Sequence, residues 1–325
     1  MMSLAFSPEL LCGEDSRSFA GDAPEPPPYV AEEVEFPADS EESMAGFVES
    51  ERVHSPGSDY PARFRSLSLD ASARDGAVSW ILKVQACYGF RPLTAYLSVN
   101  YMDRFLASHR LPEANGWPLQ LLSVACVSLA AKMEETMVPS LLDLQVEGAR
   151  FIFEPRTIRR MELLLLTALN WRLRSVTPFT FVDFFAHKIG GDGCLRYLVS
   201  RASQIVLLTI LEIEFLNYCP SAVAAAAVVC AADGVRDLPF ITPVIATSWC
   251  VGLTEESISS CYQLMQELVL ETKAPRVSPM IYRVVPNNGF IESGSSSTSS
   301  STSSPSNKRR KLNNFSWASD DQEEG

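Results

Sequence analysis

Two runs of the chain, one after Pro118 and one after Pro220, are apolar or small on nearly every side of a helix. A helix with no polar face cannot lie on a surface; other elements have to surround it. The runs are 119–132 (LQLLSVACVSLAAK) and 221–234 (SAVAAAAVVCAADG), about a hundred residues apart. Ala125 and Ala227 fall at the same offset, as do Leu129 and Ala231. This weak repeat predicts two similar helical bundles, each packed around one Ala-rich helix. Lys132 has Gly234 at its offset, so only the first bundle carries a cation there.

The neighbouring segments supply the surrounding helices. Leu93, Leu97, Tyr101 and Phe105 recur every fourth residue behind Pro92, which suits the first turn of a helix. Behind Pro155, residues 156–169 place Ile158, Met161, Leu165 and Ala168 on one stripe. A linker near residues 175–178 precedes a second set: 179–188, 195–211, 221–232, 242–250 and 255–271. No segment alternates convincingly as a strand does, so the predicted fold is all-α. The expected organisation is a bundle over 59–175, a second over 176–272, and tails at 1–58 and 273–325.

Composition argues that both tails are disordered. Residues 1–58 hold thirteen carboxylates against Arg17 and Arg52, a net of −11, with the Pro-rich run 24–28 and few large apolar side chains. The other end carries a Ser/Thr tract at 294–304, then the basic cluster Lys308, Arg309, Arg310, Lys311 and an acidic finish. From Pro286 onward the net is −1, which leaves residues 59–285 neutral within the total of −12. A neutral core lacks the Lys/Arg excess that binding a phosphate backbone needs, so nucleic acid is not an expected partner.

Eight cysteines are scattered without a CxxC pair, most of them inside apolar runs such as Ala125-Cys126-Val127. The start lacks a basic leader region, and Glu9, Glu14 and Asp15 interrupt any apolar stretch, so a reducing compartment is expected. The uncharged run 215–232 is broken by Pro220 and reads as a buried helix rather than a membrane span. No phosphate-binding Gly loop, HExxH or GxSxG occurs, and only three histidines exist. No catalytic residue, metal or cofactor is expected.

Four constellations carry more. They are 74–82 (RDGAVSWIL), 100–106 (NYMDRFL), 129–135 (LAAKMEE) and 160–163 (RMEL). In this order and spacing they resemble the cyclin box, over residues from about 60 to 270, and the details look most like a plant D-type cyclin. The resemblance implies two five-helix bundles and a regulatory, non-catalytic role. Its expected partner is a cyclin-dependent kinase, which supplies the catalytic residues and ATP.

By themselves, Lys132 reads as a solvated cation at a helix C-terminus and Glu162 as an exposed residue off the core stripe. The resemblance instead assigns both to clasping the kinase, with Leu129, Met133 and Leu166 as an apolar floor. It makes Arg74 and Asp103 a buried structural ion pair, which sets geometry more than it adds stability. Trp80 marks the family's docking patch for Arg-x-Leu substrates. Ala73 and Gly76 stand there where animal relatives carry large apolar residues, so less apolar area is on offer.

Leu10-Leu11-Cys12-Gly13-Glu14 matches LxCxE. Such a match arises by chance in roughly a few per cent of chains this long. In an acidic tail it suits a peptide that folds onto its partner. It resembles the ligand of retinoblastoma-type pocket proteins, with Leu10 and Cys12 entering apolar sites and Glu14 pairing with backbone amides. The implied function is promotion of the G1/S transition, and kinase inhibitors are admissible as further partners.

The cluster Lys308–Lys311 reads as a nuclear import signal or as a solvated charge run, and Ser304-Pro305 as a proline-directed phosphorylation site beside it. Arg310-Lys311-Leu312 also reads as Arg-x-Leu, able to dock on the chain's own Trp80 patch. A nuclear protein with a cytoplasmic pool is expected. Two rival readings stay open: a cyclin-fold transcription factor, normally marked by a zinc ribbon and a basic core, and a generic helical scaffold.

Overall fold

A computed structural model describes residues 41–273, apart from 67–69, 113–115, 146–149, 190–191, 234, 236–237 and 239–240, together with the backbone of 310–312. Leu10, Cys12, Glu14, Ser304, Lys308 and Arg309 lie outside the described residues.

The first bundle holds α2 (Tyr60–Arg65), α3 (Ala71–Tyr88), α4 (Pro92–Ser108), α5 (Trp117–Glu134) and α6 (Pro155–Ala168). Local chemistry sets its boundaries. The Asp70 carboxylate caps α3 by accepting from the Ala73 N–H at 3.2 Å. Gly89 ends that helix at φ 65°, a left-handed turn that a side chain would strain. Prolines occupy the first turn of α4, α5 and α6, where the missing N–H would have had no partner anyway.

The second bundle holds α7 (Phe179–Ile189), α8 (Asp192–Thr209), α9 (Pro220–Ala232), α10 (Pro243–Ala246) and α11 (Glu255–Lys273). The segment expected as one helix over 242–250 is the short α10 followed by a 3-10 turn, Thr247–Trp249. As the repeat predicts, α5 and α9 are the central helices. Helix α5 is buried from Leu121 through Ala131 and packs on α3, α4 and α6; α9 is buried at twelve of its thirteen positions and packs on α7, α8 and α11. Alanine on α9 lets its neighbours approach closely, because helix separation follows the size of the side chains at the contact.

The disordered reading of 1–58 fails at its far end. Helix α1 (Glu41–Ser50) and a 3-10 turn (Glu51–His54) are folded. Met44 is fully buried in the second core, with Phe47 and Val48 packed against the same cluster. Glu51, also buried, accepts from the Ser221 N–H at 2.8 Å and from its hydroxyl at 3.0 Å, satisfying an amide in the first turn of α9 that has no partner within the helix. Acidic composition hid an apolar triplet at helical spacing, with Met44, Phe47 and Val48 on one face.

A further departure is a pair of three-residue strands. Strand β1 (Phe151–Phe153) pairs in parallel with β2 (Arg310–Leu312), in the register Phe151–Arg310, Ile152–Lys311, Phe153–Leu312.

Candidate functional site: a charged rim in an apolar surface

Helix α5 ends against α6, and this junction brings Lys132 to Glu162. The Lys132 ammonium donates to the Glu162 carboxylate Oε1 at 2.7 Å. The two ends differ in access, with side-chain exposures of 45% for Lys132 and 9% for Glu162. The expectation that Glu162 is an exposed residue off the core stripe is therefore corrected. On α6 it falls directly after the buried Met161, and Lys132 covers it. One face of the ammonium stays open to a partner, while the carboxylate is already oriented.

Large apolar side chains adjacent to this pair in the chain stand in water. Met133 follows Lys132, and Leu163 and Leu164 follow Glu162; all three are exposed. Met137 is 83% exposed and Val138 is also exposed, just beyond α5. Leu166 is half-buried, whereas Leu129 belongs to the core and offers almost no surface. Exposed large apolar side chains mark candidate interaction surfaces, and charged residues belong to the rim of such surfaces. Sequence reading did not single out Met137, Val138, Leu163 and Leu164 as exposed. The run of four leucines at 163–166, too many for a single buried stripe, is the signal that could have found two of them.

The end of α5 is held by its next residues. The Glu135 carboxylate accepts from the Arg91 N–H at 2.8 Å and the Thr94 hydroxyl at 2.5 Å, at the first turn of α4. Burial lifts the Glu134 carboxyl above its usual range, with Arg91, 3.9 Å away, pulling the other way.

Arg74 and Asp103 form a buried bidentate ion pair between α3 and α4, joined by the Tyr60 hydroxyl, which donates to Asp103 at 2.9 Å. Burial works against the Arg74 charge, yet the adjacent Asp103 outweighs it and holds the guanidinium above its ordinary pKa. Burial, then the Asp103 charge, pushes the Tyr60 phenol well up, so it stays a neutral donor.

Trp80 lies beside a groove of about 250 Å³ that Ala73, Gly76, Leu119, Gln120 and Arg150 also line. A Cβ added at Gly76 would meet nothing within 4 Å, so the missing apolar area there is open space. The Trp80 Nε1–H is buried and makes no hydrogen bond among the described residues.

Among the described residues, no three His, Cys, Asp or Glu side chains group as metal ligands do, and no helix is long and apolar enough to cross a membrane. The seven described cysteines are free thiols.

Comparison with known proteins follows the same lines. The family profile "Cyclin, N-terminal domain" matches residues 42–174, and "Cyclin, C-terminal domain" matches residues 176–288. Cyclin-D1-1 of Arabidopsis thaliana is 49% identical over 332 residues, covering 98% of this chain and 95% of its own. Cyclin-D2-1 of Oryza sativa subsp. japonica is 60% identical over 228 residues, covering 70% of each chain. Among solved structures, a viral cyclin from herpesvirus saimiri superposes with a TM-score of 0.54 at 17% identity, over 62% of this chain and 86% of that one. At that identity the likeness concerns the fold alone.

Proposed function

The chain belongs to the cyclin family, in its D-type branch, and from that membership we propose that it is the activating regulatory subunit of a cyclin-dependent protein kinase. The kinase contributes ATP binding and phosphoryl transfer; this chain contributes a rigid surface. By binding the active arrangement of the kinase more tightly than the inactive one, it shifts the population toward activity.

The observation that carries this reading is the Lys132–Glu162 pair at 2.7 Å, with exposed Met133 next to Lys132 in the chain and half-buried Leu166 one turn along α6 from Glu162. A partner that covers the half-exposed Lys132 would desolvate the pair, and desolvation strengthens polar contacts to partner backbone groups. Lys132 and Glu162 are the anchors, Met133 and Leu166 supply apolar contact, and Leu129 supports them from the core.

The same reading gives the flanking segments their roles. Leu10, Cys12 and Glu14 recruit a retinoblastoma-type pocket protein as substrate, promoting the G1/S transition. The Trp80 groove takes extended peptides. Lys308–Lys311 directs nuclear import, and phosphate on Ser304 opposes it by adding negative charge beside the cluster.

Charge reversal tests the central assignment. Lys132→Glu and Glu162→Lys each abolish activation of a cyclin-dependent kinase in a reconstituted assay. The double swap restores the intramolecular bridge and the melting temperature, but not activation. Normal activation by the double swap means that the pair acts only as a brace between α5 and α6.

A further inference from the structure

The junction of α4 with the link between the bundles gathers three basic groups. Arg104 Nη1 donates to the Arg172 carbonyl at 3.0 Å and to the Ser175 hydroxyl at 3.1 Å. The Ser175 hydroxyl donates to Asn100 Oδ1 at 3.0 Å, and Asn100 Nδ2 donates to the His54 carbonyl at 2.9 Å. One polar network thus joins His54, Arg104 and Arg172. Arg172 arrives there on a strained turn: Asn170 and Trp171 both have positive φ, 51° and 60°, where L side chains rarely sit.

Nothing acidic answers these groups. Among the described residues, neither arginine has a carboxylate within 4 Å, and Asp103, next to Arg104 in the chain, is taken by Arg74. The buried Nδ1 of His54 has no hydrogen-bond partner there. Burial, then the Arg104 charge, holds the His54 imidazole below its usual pKa, with the Ser50 carbonyl opposing. Burial also lowers Arg104, with Tyr101 opposing and Arg172 adding to the effect. Like charges gathered without a counter-ion are costly, and a bound anion relieves that cost.

Ser55 stands at the edge of this group. It follows His54, precedes Pro56 and is extended, with ψ 150°, as the residue before a proline prefers. Its hydroxyl makes one long bond, 3.4 Å to the Glu51 carbonyl, so it turns at little cost.

We propose that His54, Arg104 and Arg172 form a phosphate-binding site, and that its ligand is a phosphoserine at position 55. A proline-directed kinase makes that ligand by transferring the γ-phosphoryl of ATP. The Ser55 Oγ–P bond forms, the bond to the ADP oxygen breaks, and the hydroxyl proton passes to the kinase's base. The product brings nearly two negative charges and three acceptor oxygens to basic groups that lack a counter-ion. It ties the segment ahead of the first bundle to the link between the bundles.

The full chain carrying phosphoserine at position 55, introduced during translation, tests the site. An anion favours the imidazolium, so the His54 midpoint in an NMR titration moves up, while that of His187 on α7 stays put. The melting temperature rises by about 2–4 °C. In Arg172→Gln, whose parent side chain makes no hydrogen bond among the described residues, phosphoserine shifts both readouts less. An unmoved His54, or equal shifts with and without the Arg172 cation, overturns the proposal. Inorganic phosphate added to the unmodified chain separates the sources. A His54 shift there that phosphoserine fails to reproduce assigns the site to another molecule's phosphate and overturns Ser55 as the donor. Treatment with a proline-directed kinase and ATP should place phosphate on Ser55, read by mass spectrometry; a chain left unlabelled there overturns the modification.

Discussion

The Arg74 guanidinium grips Asp103 through two bonds, at 2.8 and 2.9 Å, and its remaining nitrogen donates to the Ile210 carbonyl at 3.2 Å. Ile210 follows α8, and its side chain packs in the first core with Leu207. One buried cation therefore ties α3 to α4 and ties both to the end of a second-bundle helix.

Removing that cation leaves Asp103 buried with only Tyr60 as donor. Arg74→Ala is expected to lower stability by about 3–5 kcal/mol, measured by denaturant unfolding. Arg74→Met, of similar length but apolar, is expected to be no milder, because the carboxylate stays uncompensated. A cost near zero in both variants means that water reaches the pair.

Glu51 gives a pH dependence with a definite sign. Burial lifts its carboxyl above the ordinary value of 4.5, with the Ser221 bonds opposing. A raised folded-state pKa means that the folded chain binds the proton more readily than the unfolded one. The contribution of this group to stability therefore falls as pH rises from about 4.5 to the lifted value, and is level above it. Glu51→Gln keeps an acceptor for Ser221 and should remove this component of the slope in melts recorded across that interval.

Gly76 sits inside α3 with open space around it. Gly76→Ala is expected to stabilise the chain by about 0.5–1 kcal/mol through the loss of unfolded-state freedom. Gly76→Leu adds apolar wall to the Trp80 groove and should tighten binding of an Arg-x-Leu peptide, read by titration calorimetry. A destabilised Gly76→Ala would show that the groove is closed in solution.

Pocket-protein recruitment and kinase activation should separate. Cys12→Gly with Glu14→Ala is expected to eliminate pocket-protein binding while leaving activity on a generic peptide at the wild-type level. Equal affinity for both chains means that LxCxE is a chance match.

Alanine at Lys308, Arg309, Arg310 and Lys311 should lower nuclear accumulation, and Ser304→Asp should do so partially, both read by imaging of tagged chains. Unchanged accumulation in the alanine variant assigns import to the bound kinase or another segment.

The all-α architecture, the two central helices and the openings at Pro92, Pro118, Pro155 and Pro220 were legible in the sequence alone. These features rest on local rules: spacing along one helix, the missing proline N–H, and the absence of any polar face. The Arg74–Asp103 pair and the choice of Lys132 and Glu162 came from resemblance; the residues alone left Lys132 solvated and Glu162 exposed, and their mutual bridge came from the structure. Only tertiary structure decided how deeply Glu162 is covered, because its burial comes from a residue 30 positions away on another helix. Likewise Glu51 meets Ser221 across 170 positions, and no local composition rule can see such a contact inside an acidic run. Strand β1 is the extreme case. Three residues hold no periodicity, and their conformation depends on Gln120, Gln145 and a strand from the far end of the chain.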